Sequence, residues 1–364
     1  MKENNNYFAI FFAHYLYYLP QYIPVAKELK KRGLPFLFVI DQGKKRDIFQ
    51  QDDFIIEFCK NNTIDFLFYD KAQELNISCD FLICGSGTPE EINLEYKKTT
   101  LLVHGIGTKV GCFEEKQNRY DIRFIEGEFR KQKLKELYPN AGNIVVNAGF
   151  AKLDTAFNMT NNDKVDFIKK LNLDPSKKTI LYAPTFYPSS IEKMSKEFPN
   201  DFSNFNIVIK PHFFSFLRKK YAKQRVLLEK WKQYKNVYVA NFSDLDLSPF
   251  MATADLMISD ESSAMFEFIS LNKPLIINRF LKLRLSYRLW GKRKYNKRID
   301  QEIAKFKDVG TNIYKYKYLK EAVLKEMENP KIMESKRLEC TKMIVGPTDG
   351  KVSERIVDTL TKHI

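Results

Sequence analysis

The sequence predicts an α/β chain built from two doubly wound parallel sheets. Three observations carry that prediction. Short apolar, β-rich runs alternate with stretches at helical spacing; the alternation occurs twice, with a polar interruption between the two sets; and the chain is long and apolar enough for two cores. Its 364 residues are 44% hydrophobic and 14% aromatic, mostly 30 Phe and 19 Tyr, which suits two domains and excludes disorder for the bulk of the chain.

The first set opens with YFAIFF (7–12), a helix-like stretch over 20–32, then PFLFVI (35–40), IDFLFY (64–69), FLICG (81–85) and TLLVH (100–104), and continues with IRFIE (122–126) and NIVV (143–146). Such fully apolar runs suit strands covered on both faces by helices. The polar segment Asn158 to Lys164 interrupts the pattern and places the domain boundary near residue 160. The second set is TILYA (179–183), NIVIK (206–210), NVYVA (236–240), DLMIS (255–259) and PLIIN (274–278), filling a domain over 161–342. The tail, 343–364, holds an amphipathic helix candidate from Ser353 to Leu360, expected to pack back on the first domain. Two doubly wound halves are expected to face each other across a central cleft lined by the loops at their carboxyl edges.

The charge narrows the partners. Sixty Lys and Arg against 45 Asp and Glu give +15, which calls for nucleic acid, an anionic membrane or a phosphorylated substrate. No apolar run approaches the roughly 20 residues of a membrane span, and the start MKENNNYFAIFFAH has too short an apolar core for a signal peptide. The expected location is the cytosol or the inner face of the cell membrane. Five scattered cysteines, Cys59, Cys79, Cys84, Cys112 and Cys340, form no CxxC pair and read as reduced thiols, with neither a disulfide framework nor a zinc site.

Residues just past a strand's carboxyl end line the ligand crevice of an open α/β sheet. Of four histidines, His104 ends TLLV and leads into Gly105-Ile106-Gly107-Thr108-Lys109, and His212 follows NIVIK in Lys210-Pro211-His212. Imidazole titrates near neutrality and both gives and accepts hydrogen bonds, so each suits a general base or a phosphate donor; a ring satisfied locally in a turn is the plain alternative. His14 follows the first strand and suits either the acceptor side or packing beneath the first helix. In LMISDESSAMFEF (256–268), Asp260 to Ser263 form a turn before a helix, where free amides and the hydroxyls of Ser262 and Ser263 suit a phosphate or pyrophosphate. Asp260 or Ser262 as a simple N-cap is the alternative. Glu267, one turn on, would reach a ribose hydroxyl. Thr185 and Tyr187 in LYAPTFYPSS (181–190) face the same crevice. No metal-ligand cluster, nucleophile elbow or Walker loop is present.

Taken in order, HGIGTK (104–109), ILYAPTF (180–186), IVIKPH (207–212), ISDESSAMFEF (258–268), KPLIIN (273–278) and DGKVSERIVD (349–358) resemble the CDP-glycerol glycerophosphotransferase family, which primes and extends teichoic acids and related capsule polymers. The resemblance covers nearly the whole chain. It implies a GT-B architecture of two Rossmann-like domains, the N-terminal one binding acceptor and the C-terminal one binding the nucleotide donor. It further implies a CDP-activated polyol phosphate as donor, a lipid-linked or polymer hydroxyl as acceptor, CMP as product, and no metal or other cofactor. By the same resemblance His104 is the base for the acceptor hydroxyl, His212 binds the donor pyrophosphate with Ser262 and Ser263, and Glu267 stands where the family usually has an Asp. From their places after strands and in turns, His14, Gly105 and Lys109 are expected on the acceptor side, and Lys210, Thr185 and Asp260 on the donor side. Two positions depart from the family pattern: Ile106-Gly107 replaces its Thr-Pro, and Tyr187 stands where it carries an arginine, which leaves the donor polyol open between glycerol, ribitol and another nucleotide-linked unit. A GT-B glycosyltransferase or nucleotide-sugar epimerase is the alternative enzyme, and a non-catalytic protein binding polyanions or membranes is the alternative outside catalysis.

One basic segment stands apart. Between 279 and 298 nine cations, among them Lys282, Arg284, Arg288, Lys292, Arg293 and Lys294, occur without an acid and interleave with Leu, Tyr and Trp290. That composition fits an element lying on anionic lipid headgroups; a solvated basic face is the alternative. No recognised nucleic-acid module accompanies it, so nucleic acid is not the expected partner.

Overall fold

The computed structural model describes residues 6–42, 52–87, 89–106, 110–241, 243–283 and 302–364. The chain divides into two compact units. The first comprises most of the chain up to Asp154 together with Val345–Ile364, and the second comprises Thr155–Ile344.

The first unit is built on seven parallel strands: β1 (Asn6–Ala13), β2 (Phe36–Ile40), β3 (Phe66–Phe68), β4 (Ser78–Cys84), β5 (Glu95–Leu102), β6 (Ile122–Ile125) and β7 (Ile144–Asn147). They lie in the order β3-β2-β1-β4-β5-β6-β7. The chain winds from β1 outward through β2 and β3, then returns to β1's other side with β4, so the order reverses between β1 and β4. Such a reversal parts the loops at the carboxyl edge and opens a crevice there. The apolar runs of the sequence become the sheet's core: Ile10, Phe12, Val39, Leu82, Cys84 and Leu101 pack in one buried cluster. Cys79 and Cys84 are small core residues of β4, and both thiols are pushed up to about 12 by burial.

The terminal helix Val352–Lys362 lies against the helix Leu19–Lys31. Its first amides, Val352 N–H and Ser353 N–H, donate to the buried Asp154 carboxylate at 3.0 and 2.7 Å, and Arg32 reaches Asp358 at 2.6 Å. An acid at the positive end of a helix satisfies amides that have no partner within it.

The second unit has six parallel strands: β8 (Thr179–Ala183), β9 (Asn206–Ile209), β10 (Val237–Val239), β11 (Leu256–Ser259), β12 (Leu275–Asn278) and β13 (Thr311–Ile313), in the order β10-β9-β8-β11-β12-β13. Here the order reverses between β8 and β11. Its core gathers Ile180, Ile207, Ile258 and Ile276 from neighbouring strands with Phe198, Leu228 and Trp231 from the covering helices. The edge strand β13 was absent from the sequence reading, because TNI is short and half polar. Lys273 of KPLIIN is structural: its ammonium donates to the carbonyls of Met251, Ala252 and Ala254 at 3.1, 2.7 and 2.7 Å, closing the carboxyl end of the helix Ser248–Thr253. Burial pulls its pKa down to about 8.

No helix among the described residues is long and apolar enough to cross a membrane. Of the residues assigned to lipid binding, Lys282 is described. Its side chain is exposed, and its backbone bridges Ser189, with Lys282 N–H donating to Ser189 O at 2.8 Å. Arg284, Arg288, Trp290, Lys292, Arg293 and Lys294 lie outside the described residues, as does Lys109.

Candidate functional site

In the second unit, β9, β8 and β11 are neighbours, and their carboxyl ends deliver His212, Thr185 and the Ser262-Ser263 turn side by side. At about 4.8 Å per strand, the histidine's strand and the serines' strand are about 10 Å apart, a span suited to a diphosphate with its substituents.

The His212 ring is held by three aromatic neighbours. Phe213 stacks at 4.3 Å between centroids, Phe186 from the β8 loop lies at 4.6 Å and Phe214 at 5.1 Å. Nδ1 of His212 accepts the Phe214 amide at 3.2 Å. A ring nitrogen that accepts cannot carry the proton, so the neutral imidazole bears it on Nε2 and presents a donor there. Arg218 adds a cation stacked 3.5 Å above the Phe214 ring. The serines sit where the turn enters the helix Ala264–Ile269. Ser263 occupies the N-cap position without spending its side chain on a cap bond, and Ser262 Oγ lies 3.4 Å from Ser259 Oγ.

Asp260 requires a correction. Its place in the turn suggested a contact to the donor, yet the side chain is fully buried. Its carboxylate accepts Thr185 N–H at 3.0 Å and Ser190 N–H at 3.2 Å. The loop 184–190 folds over it, so Asp260 braces the loop that carries Thr185 and Phe186. Tyr182 Oη to Ser190 Oγ at 2.7 Å, Asn278 Nδ2 to the same hydroxyl at 3.1 Å and the Lys282 bridge complete that brace. Glu267 is buried at 4% exposure within the helix Ala264–Ile269.

Burial raises the Asp260 pKa to about 7, against about 3.9 for an unfolded carboxyl. The folded chain therefore holds a proton that the unfolded chain has released between about pH 4 and pH 7, and stability falls as pH rises through that window, by on the order of 1 kcal/mol for each tenfold drop in proton concentration. Asp260→Asn cannot ionise and escapes this loss. In urea unfolding the wild type is expected to be the more stable protein at pH 5, with the gap to the variant narrowing by pH 8; a constant or widening gap would contradict this assignment.

The turn also carries ions that sequence reasoning missed. Glu261 is bound by both Arg279, which leaves the end of β12, and Lys307, and Arg279 Nε donates to Asn312 Oδ1 at 2.6 Å. The two cations thus stand beside the serines, held by one acid.

In the first unit, His104 lies two residues beyond β5, half-buried. Its ring stacks on Tyr18 at 4.6 Å with 20° between planes, and Tyr17 meets it edge-on at 4.8 Å. Tyr18 is fixed in turn: Oη lies 2.6 Å from Ser86 Oγ. Glycine is required at the end of β4, where a Cβ on Gly85 would come within 2.7 Å of Tyr18 Cδ2 and 2.9 Å of the Tyr22 hydroxyl. By contrast a Cβ on Gly105 would meet nothing within 4 Å. Gly85→Ala is expected to push Tyr18 and, through the stack, His104, cutting turnover about tenfold with donor affinity unchanged. Equal losses in both would contradict the stack's role.

His14 lies at the end of β1, and its Nδ1 is 2.9 Å from Asp41 Oδ2 at the end of β2. No cluster of acidic, cysteine and histidine side chains suited to a metal occurs among the described residues.

Residues 96–362 match the family described as CDP-Glycerol:Poly(glycerophosphate) glycerophosphotransferase. The chain belongs to this family. A relative, the teichoic acid glycerol-phosphate primase of Bacillus spizizenii (strain ATCC 23059 / NRRL B-14472 / W23), is 28% identical over 163 residues, covering 43% of this chain and 39% of the primase. The matched stretch therefore spans less than half of that relative's length. Among solved structures, the wall teichoic acid polymerase TagF shares the fold with a TM-score of 0.68 at 16% identity, over 98% of this chain and 88% of that one. The UDP-GlcNAc 2-epimerase of Neisseria meningitidis shares it with a TM-score of 0.59 at 14% identity, over 97% and 99%. The GT-B expectation from the glycerophosphotransferase family motifs holds for both halves of the chain.

Proposed function

We propose that this family member transfers a polyol phosphate, glycerol phosphate first, from a CDP-activated donor to a hydroxyl of a polymer or lipid-linked acceptor, releasing CMP. The observation that carries this reading is the second unit's carboxyl edge, where Lys210 and His212, its tautomer fixed by Phe214, follow β9, the hydroxyls of Ser262 and Ser263 follow β11, and Arg279 after β12 and Lys307 meet Glu261 of the serine turn. Donors and cations of this kind oppose the charge of a diphosphate, and that charge shifts onto the leaving phosphate as the bond to phosphorus breaks. Glu267 is assigned to the donor ribose. The first unit binds acceptor, with His104 as the base.

In the proposed reaction the acceptor hydroxyl gives its proton to His104 and its oxygen bonds to the donor's β-phosphorus. The bond from that phosphorus to the CMP oxygen breaks, and CMP leaves with the electron pair. Phosphoryl transfer of this kind needs chiefly positioning and charge neutralisation, and the scheme is written without metal or cofactor. The basic segment 279–298 is proposed to hold the chain on anionic lipid at the inner face of the cell membrane; its composition supports that placement.

A thermal-shift screen of nucleotide-activated donors tests the reading. CDP-glycerol or CDP-ribitol at a hundred times its Kd should stabilise the fold by about 2.7 kcal/mol. UDP-GlcNAc should leave the melting temperature unchanged. Stabilisation by UDP-GlcNAc alone would favour the epimerase chemistry of the second structural relative.

A further inference from the structure

Two neighbouring side chains of the helix Ala222–Trp231 take no part in the reaction above, yet both reach the segments that enclose His212. Gln224 is 1% exposed, and its Nε2 donates to the carbonyl of Phe186 in the β8 loop at 3.2 Å, across 38 residues of chain. Arg225 directs one nitrogen, Nη1, at three carbonyls: Ser215 O and Phe216 O at 3.1 Å and Arg218 O at 3.0 Å. Ser215 and Phe216 lie in the short helix Phe214–Leu217, whose last carbonyls have no partner within it.

The two grips converge on one ring. Phe186, held by Gln224, lies 4.6 Å from His212 between centroids. Phe213 and Phe214, at 4.3 and 5.1 Å, belong to the segment that Arg225 ties down. That segment also supplies two backbone bonds to His212: the Phe214 amide donates to Nδ1 at 3.2 Å, and Ser215 N–H donates to His212 O at 2.8 Å. The loop after β8 and the segment after β9 meet each other through rings, with Phe186 edge-on to Phe214 at 5.0 Å. Apolar packing has little directional preference, whereas a hydrogen bond weakens steeply away from its angle, so the polar grips decide where the rings stand. Gln224 and Arg225 are consecutive on one helix, and they thereby refer both walls of the His212 site to a single rigid element.

We propose that Gln224 and Arg225 are positioning residues for His212: by tying Phe186 and the segment 214–218 to one helix, they hold the imidazole in the plane in which it meets the donor's phosphate. The kinetic part of this assignment rests on the transfer reading, and a measurement without turnover separates the two.

A group misplaced by about 1 Å can lose about a hundredfold in rate. Gln224→Met and Arg225→Met keep a long side chain and remove the donors. Each is expected to lower kcat for CMP release from CDP-glycerol about tenfold per folded molecule, with the acceptor KM unchanged. Arg225 is half-buried, so its variant carries the test should Gln224→Met fail to fold. Arg225→Lys should recover most of the loss, because one ammonium can serve three carbonyls, as Lys273 does for Met251, Ala252 and Ala254. In the His212→Asn background each methionine change should cost less than about twofold, since residues that act through one group do not add. An undiminished tenfold loss in that background, or wild-type kcat in the methionine variants, overturns the proposal.

Histidine ring-nitrogen NMR reads the same positioning in the resting protein. Arg225→Met should move the His212 ring resonances and leave those of His104 at their wild-type positions. His212 resonances that stay unmoved in the variants overturn the proposal, whatever donor the chain uses. If no CDP-polyol releases CMP, the transfer reading fails while the NMR comparison still decides the positioning of His212.

Discussion

Replacing His212 with alanine is expected to cut CMP release from CDP-glycerol by about a hundredfold to a thousandfold, the loss seen when one positioned donor to developing charge is removed. The expectation follows from the ring's surroundings. Phe213, Phe186 and Phe214 fix the plane of the imidazole, and the Phe214 amide fixes the proton on Nε2. His212→Asn separates chemistry from folding. Its side-chain oxygen stands near the position of Nδ1 and accepts the same amide, but nothing replaces Nε2. The asparagine variant should therefore melt within a few degrees of the wild type and lose activity as fully as alanine, with the larger share in kcat. Recovery of activity in the asparagine variant would reduce His212 to a loop-holding residue.

The second large effect is expected at His104. His104→Ala should lower kcat by about a hundredfold to ten-thousandfold, the usual contribution of a positioned general base, and leave CDP-glycerol binding unchanged. Tyr17 and Tyr18 hold this ring by stacking and edge contact. Tyr18→Phe should show a smaller loss, because it keeps the stack and removes only the hydroxyl placed 2.6 Å from Ser86 Oγ. A His104→Ala protein that weakens donor binding and spares kcat would move His104 out of the acceptor reaction.

Much of the fold was legible because the strands are buried on both faces, and such strands read as unbroken apolar runs: YFAIFF became β1 and TILYA became β8. β13 was not legible, since an edge strand of three residues carrying Thr311 and Asn312 has no such signature. The histidines could be found from their places after strands. Their partners could not, because sheet order makes those contacts. Asp41 meets His14 only because β1 and β2 pair in parallel, 27 residues apart in the chain. Ser86 meets Tyr18 across 68 residues. Asp260 was misread for the same reason: its position in a turn suggests a ligand, and only the loop 184–190 folding over it shows that its partners are backbone amides. Lys273 was legible as part of a motif, while its three carbonyl partners belong to a helix some twenty residues earlier in the chain.

The most direct test is the initial rate of CMP release from CDP-glycerol with a short poly(glycerol phosphate) acceptor, measured for the wild type and for His212→Asn at matched folded concentration. The wild type should release CMP in proportion to acceptor extended, and the variant at no more than about one hundredth of that rate. A wild type that releases no CMP from either CDP-glycerol or CDP-ribitol, or a variant as fast as the wild type, would contradict the assignment of this edge of the second sheet to the donor.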